Sequence, residues 1–135
     1  MNQEGEILSN QHTIAVVGLS SDPTTPSNEV SAYMQAHGYR IIPINPNERE
    51  VLGEKAYPDL ASVPEPVTFV NVFRRPEACA QVARDAAAVG AKVLWLQLGI
   101  RSNEARAIAQ DAGMTYIEDR CVEIEHRRNG IGRIS

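Results

Sequence analysis

Cysteine, aromatic side chains and long apolar runs are all scarce in this 135-residue sequence. Its two cysteines, Cys79 and Cys121, make no disulfide framework. They also fall short of the four clustered ligands that a structural zinc site wants. Met1 to Gln11 is polar and acidic, without the apolar core of a secretory leader, so a reducing, cytoplasmic setting is expected. No apolar stretch approaches the roughly 18 residues that cross a bilayer, which argues against a membrane partner. Positive charge is short as well: 13 Lys and Arg against 17 Asp and Glu leave a net charge of −4. Nucleic-acid binders normally carry a basic face, so that class is disfavoured. The histidines, His12, His37 and His126, are scattered, and none sits beside a carboxylate in an acid–base or metal arrangement. There is no G-x-S-x-G elbow and no Walker lysine. No catalytic constellation is therefore expected, and no metal site.

What is present is an ordinary globular composition, 43% hydrophobic and 22% charged, in a length that suits one domain. Residues 1–12 read as a polar N-terminal segment, frayed or briefly helical, and 13–135 as a single domain. Residues 13–18 are an unbroken apolar run, as in a strand covered on both faces. A helix is expected from Ser27 as N-cap to Gly38, with Val30, Tyr33, Met34 and His37 at helical spacing. Arg40–Asn45 reads as a strand whose Pro43 demands a free or irregular side. A short edge piece at 55–57 and one helical turn at 59–64 follow. Val67–Phe73 is a β-branched and aromatic strand. Pro76 opens a helix whose Cys79, Val82, Ala83 and Ala86 share a buried face. Lys92–Leu98 is the next strand, Ser102 or Asn103 caps a helix ending at Gly113, and Met114–Glu118 is the last strand. A loop or short helix and a polar, partly basic tail complete the chain. Strands alternating with helices predict a mainly parallel sheet of five to six strands, with helices on both faces and right-handed crossovers.

In such sheets ligands collect at the carboxyl ends of the strands, so those ends carry the functional reading. The first is Gly18-Leu19-Ser20, followed by a helix start at Ser27. Loop amides and the helix dipole there favour an anion, although a lone glycine is equally a tight turn. The later glycines of a dinucleotide fingerprint are missing. The second end is Asn45-Pro46, where a nicotinamide dinucleotide site wants a carboxylate. Asn45 can donate or accept, and Pro46 offers a flat apolar face to a base, or the pair is a plain turn. The third end, Arg74-Arg75, puts two guanidiniums near a helix start whose dipole disfavours them, which points to phosphate. The fourth, Gln97-Leu98-Gly99, pairs an amide with a glycine that permits close backbone approach. Arg120 is a third cation or a partner of Asp119. Cys121 is a reactive thiol or, more commonly, a small buried hydrophobe.

VVGLS, S-N-E-V, GYRIIPINP, LGEKAYPDLASVPEPV, VNVFRRPE, GAKVLWLQLGI and DRCVEIEH, in this order from about Thr13 to His126, resemble the small stand-alone CoA-binding proteins. These are similar to the N-terminal CoA-binding domain of the succinyl-CoA synthetase alpha subunit. The resemblance implies a Rossmann-like three-layer sandwich holding coenzyme A or an acyl-CoA across the carboxyl edge of its sheet. Gly18, Leu19, Ser20 and Ser27 would face the phosphates, and Asn45 and Pro46 the adenosine. Phe73, Arg74 and Arg75 would line the site. Gln97, Leu98 and Gly99 would approach the pantetheine. The synthetase's phosphorylated histidine domain and nucleotide-grasping subunit have no counterpart here, so binding transfers and ligation does not. The leading expectation is a non-catalytic CoA-binding module, regulatory or carrier, with no protein partner named. The alternatives are an NAD(P)-dependent oxidoreductase, and an acyl-CoA-sensing protein in which Cys121 forms a mixed disulfide with CoA.

Overall fold

The structure, a computed structural model, describes residues 1–134. Its element order is α1 (Gln3–Asn10), β1 (Thr13–Val17), α2 (Pro26–Ala36), β2 (Arg40–Ile44), β3 (Glu50–Val51), β4 (Glu54–Lys55), a 3-10 turn at Leu60–Ser62, β5 (Phe69–Val72), α3 (Pro76–Ala88), β6 (Val93–Leu96), α4 (Asn103–Asp111), β7 (Thr115–Ile117) and α5 (Val122–Arg128). Five parallel strands form one sheet in the order β2-β1-β5-β6-β7, and β3 and β4 make a separate two-residue hairpin.

Alternation along each strand divides the apolar runs between two cores. Ala15 and Val17 of β1 face α3 and α4, packing with Cys79, Ala83, Ala105 and Ala109. Ile14 and Val16 face the other way, against Leu8 of α1, Val30 and Met34 of α2 and Val122 of α5. The alanines on the α3–α4 side let the helices lie close to the sheet, whereas Phe69 and Trp95 fill the opposite side. The polar segment at residues 1–12 thus folds as α1 and anchors Leu8, fully buried, in that core.

Pro43 sits inside β2 without cost because β2 is an edge. In a strand, the N–H and C=O of one residue point to the same side. Pro43 directs its carbonyl outward, where it accepts from Tyr57 N at 2.9 Å. The N–H that proline lacks would point outward too, while Ile44 turns inward and accepts from Gly18 N at 2.9 Å.

The chain leaves β1 over one face through α2 to reach β2, and leaves β5 over the other face through α3 to reach β6. The connections diverge between β1 and β5, which is the switch point of a doubly wound sheet and opens a crevice at their carboxyl ends. The stretch read as a loop or short helix before the tail is helix α5, and it buries polar side chains. Glu125 and His126, on α5, are 2% and 1% exposed.

Candidate functional site

Gly18 holds the switch point together. It has φ of +89° and ends β1 directly beside the β5–α3 connection, where any Cβ would press on the Phe73 carbonyl oxygen. Only glycine combines that conformation with that approach. The loop beyond it is a self-contained polar knot. Ser20 N donates to Ser27 Oγ at 3.1 Å, and Asn28 Nδ2 donates back to Ser20 O at 2.9 Å. Thr25, not Ser27, is the N-cap of α2, its Oγ1 accepting from Asn28 N, with Pro26 in the first turn. Ser27 is a buried helical residue whose hydroxyl ties the loop down.

One amide of this corner already holds an anion from the chain itself, since Ser21 N donates to Glu48 Oε2 at 2.7 Å. Leu19 and Ser27 keep N–H groups without a backbone or side-chain acceptor among the described residues. The Leu19 side chain is fully buried in the core on the α2 side, so this residue can offer a ligand only backbone. Asn45 braces the corner from β2. Its Nδ2 donates to Leu19 O at 3.0 Å and its Oδ1 accepts from Asn47 N at 2.9 Å, which commits the carbonyl that the sequence left open.

From this corner a cleft of about 650 Å³ runs along the sheet edge. Pro26, Ser27 and Val30 of α2 wall one side, and Phe73, Arg74 and Arg75 follow β5. Gln97, Leu98, Ile100 and Cys121 form the far end. A second recess of about 330 Å³ shares Gly18, Phe73 and Arg74 with it and extends to Asn45, Pro46 and Asn47. The expected residues line this cleft or the recess beside it, with Leu19 and Gly99 excepted. Gly99 turns away at φ +83°, and its N–H is taken by Asp119 Oδ1 at 2.7 Å.

Arg74 and Arg75 are exposed and form no ion pair among the described residues. Arg75 is the N-cap of α3 and makes no side-chain cap bond, so its charge stands at the positive end of that helix. Arg120 does not join them. Its Nη1 donates to Asp119 O at 2.8 Å, and Glu4 lies 3.9 Å from its Nε.

The far end is bolted by five hydrogen bonds between β6, the loop after it and residues 119–122. Trp95 Nε1 donates to Arg120 O at 2.8 Å, and Val122 N donates to Gln97 Oε1 at 3.0 Å. Asp119, at φ +56°, donates its N–H to Ile100 O. Its carboxylate accepts from Gly99 N and from Arg101 Nη2, the latter at 2.6 Å. These donors hold the Asp119 carboxyl below the usual carboxylate range, the Gly99 amide foremost. Cys121 is half-buried on the cleft wall rather than core. Cys79 is wholly buried, and burial pushes its thiol up to about 11.

One further cluster, outside the cleft lining, carries no local sequence signature. Tyr33 Oη lies 2.7 Å from His126 Nδ1, and His126 Nε2 lies 2.6 Å from Gly132 O. A neutral ring satisfies both, with Nε2 donating to the carbonyl and Nδ1 accepting from the phenol. Burial pushes the His126 pKa down.

The family model described as CoA binding domain matches residues 12–127. The uncharacterized protein YneT of Bacillus subtilis (strain 168) is 43% identical over 121 residues, 90% of each chain. A hypothetical protein from Pyrococcus horikoshii OT3 superposes with a TM-score of 0.90 at 37% identity, over 93% of this chain and 88% of that one. The apo dinucleotide forming acetyl-coenzyme A synthetase 1 of Ca. Korarchaeum cryptofilum matches at a TM-score of 0.70 and 25% identity, over 82% of this chain but 26% of that longer one.

Proposed function

Because this chain belongs to the CoA-binding domain family, we propose that its edge cleft binds coenzyme A or an acyl-CoA without carrying out chemistry of its own. The phosphates lie against Arg74 and Arg75, the adenosine in the recess of Asn45 and Pro46, and the pantetheine arm in the apolar end at Phe73, Leu98 and Ile100. The observation that carries the reading is the pair of unpartnered guanidiniums at the mouth of a cleft that is otherwise largely apolar. Its volume of about 650 Å³ lies in the ~300–1,000 Å³ range of small-molecule sites. An anion-tailed ligand with an apolar, hydrogen-bonding arm fits that division of charge. A nicotinamide dinucleotide fits less well. Asn45 stands where the ribose-binding carboxylate belongs, and its amide is already engaged.

Calorimetric titration tests this with CoA, pantetheine and NADH. Charge-assisted hydrogen bonds carry ~1.5–3 kcal/mol, and ~1.4 kcal/mol is one decade of affinity. Arg74→Ala or Arg75→Ala should therefore weaken CoA by about ten- to a hundredfold and leave pantetheine unchanged. Equal losses for both ligands would remove the phosphate assignment, and tight NADH binding with none of CoA would overturn the reading.

The position of Cys121 on the cleft wall favours a second, compatible reading, in which the site senses the CoA redox state. The Cys121 thiolate attacks one sulfur of a CoA disulfide, forming the protein–CoA mixed disulfide. The displaced CoA thiolate leaves and takes up a proton. Mass spectrometry after treatment with CoA disulfide should find the adduct on Cys121 and none on Cys79, and an unmodified Cys121 at saturation would dismiss it.

A further inference from the structure

Gln97 is 3% exposed, yet it lines the cleft. Its orientation is fixed by chemistry, since Val122 N can only donate, so the atom 3.0 Å from it must be the carbonyl Oε1. That leaves the amide Nε2 as the free end. It has no hydrogen-bond partner among the described residues, although Gln97 is more than nine-tenths buried. The residue is nearly buried, but Nε2 itself keeps contact with solvent at the cleft, so a ligand entering there meets a donor whose position the Oε1 bond already fixes. Its neighbours on the cleft, Leu98, Ile100 and Phe73, offer no acceptor side chain, and Cys121 offers only a weak one.

We infer that Gln97 Nε2 donates to a carbonyl oxygen of the bound ligand's arm and thereby selects arms that carry a carbonyl at that depth. The inference rests on the CoA reading above and sharpens it. Two carbonyls have the required chemistry, an amide of the pantetheine and the thioester of an acyl group. The α5-facing carbonyl of Gln97 works as a brace, so the donor meets the ligand at a fixed angle with little ordering left to do. A carbonyl-free arm would leave this amide buried and unpaired, and such a group discriminates more strongly than apolar contact does.

The test measures CoA, acetyl-CoA and S-ethyl-CoA, which lacks only the thioester carbonyl, against wild type, Gln97→Met and Gln97→Glu. Glutamate keeps an acceptor for Val122 N but replaces the donor by an oxygen that repels a carbonyl. A purely bracing role would therefore spare Gln97→Glu. We expect Gln97→Met to weaken binding about three- to tenfold and Gln97→Glu to weaken it more. Losses shared by all three ligands assign the pantetheine amide. A loss confined to acetyl-CoA, with its advantage over S-ethyl-CoA abolished, assigns the thioester. Wild type that binds CoA while both variants bind all three ligands as wild type does overturns the inference alone, whereas wild type that binds neither CoA nor acetyl-CoA overturns the reading beneath it. Should the variants fail to fold, the Gln97 side-chain amide resonances of ¹⁵N-labelled wild type decide. They should shift on saturation with acetyl-CoA, and no shift in a protein that binds acetyl-CoA refutes the bond.

Discussion

Substituting alanine at Gly18 tests the corner and the fold in one step. Two penalties combine there. An L-residue held in left-handed backbone costs ~1–2 kcal/mol, and Gly18 lies at φ +89°. The new Cβ also meets the Phe73 carbonyl, a backbone atom that cannot rotate away, with Arg74 Cδ 3.1 Å off. Forced repacking of that kind costs a further ~1–3 kcal/mol. The more restricted unfolded chain returns ~0.4–1 kcal/mol, so Gly18→Ala should lose about 2–4 kcal/mol. That is a large share of a stability of ~5–15 kcal/mol. Gly90 supplies the control. It shares the left-handed backbone at φ +79°, but a Cβ there meets nothing within 4 Å. Gly90→Ala should cost no more than about 1 kcal/mol.

Urea unfolding monitored by circular dichroism gives both values, and an unchanged m-value shows that the two states remain comparable. Relieving the clash must push Phe73 and Arg74 away from β1, so Gly18→Ala should also weaken CoA measurably, whereas Gly90→Ala should not. If Gly18→Ala costs no more than Gly90→Ala, the close approach is not what demands glycine. If it costs more but binds CoA like wild type, the corner is structural and does not position the ligand.

Three further outcomes follow from individual contacts. The Ser31 hydroxyl is buried on α2 with no partner among the described residues; Ser31→Ala removes an unpaired group worth ~1 kcal/mol and adds helix propensity, so the melting temperature should rise by about 3–6 °C with CoA affinity unchanged. Asp119→Asn keeps an acceptor for the Gly99 amide but turns an NH₂ toward Arg101, loosening the wall that carries Leu98 and Ile100. Calorimetry should show pantetheine weakened several-fold and 3′-phospho-ADP unaffected, and equal losses would show that the clamp does not serve the arm. His126 titrates below its ordinary value of 6.5 in the fold, so above that pH neither state takes up a proton there. Below it the unfolded chain gains a proton that the folded chain resists, and stability falls with pH until the folded value is passed. Melting temperatures between pH 7.5 and 5 should show this slope diminished in His126→Gln, and the same slope in both proteins would place the titration elsewhere.

The architecture was legible because it depends on alternation and punctuation, which are local. Short, largely apolar runs ending at Gly18, Asn45, Phe73 and Leu98, alternating with helical segments, implied parallel strands, and topology alone then carries their ends to one edge. Side-chain direction was less accessible. Leu19 belongs to a strand-end loop, yet tertiary packing turns it into the core. Gly99 lies outside the cleft lining, and Asp119, twenty positions later in the chain, claims its amide. The α2 cap could have been read correctly, since Pro26 suits the first helical position and makes Thr25 the cap. His126 could not, because polar residues in a C-terminal stretch suggest solvent. Its burial depends on Tyr33, 93 positions away.

Accounting for donors moves the source of affinity within the site. A phosphate corner after a strand is commonly credited to loop amides and a helix dipole, and the motif here invites that view. In this chain Ser20 N serves Ser27 and Ser21 N serves Glu48, while Asn28 N leans on Thr25. The α2 N-terminus therefore enters binding with most of its capacity spent and with a carboxylate beside it. Arg74 and Arg75 carry no such commitments, and they stand on the opposite lip, where Gly18 lets the two connections touch. An anion that meets both lips should draw its charge compensation mainly from the β5–α3 side. On the proposed reading the corner would set position, holding the crevice at the width that glycine allows, and the arginines would supply attraction. Raised salt should accordingly weaken CoA far more than pantetheine, with a slope that flattens when either arginine is removed.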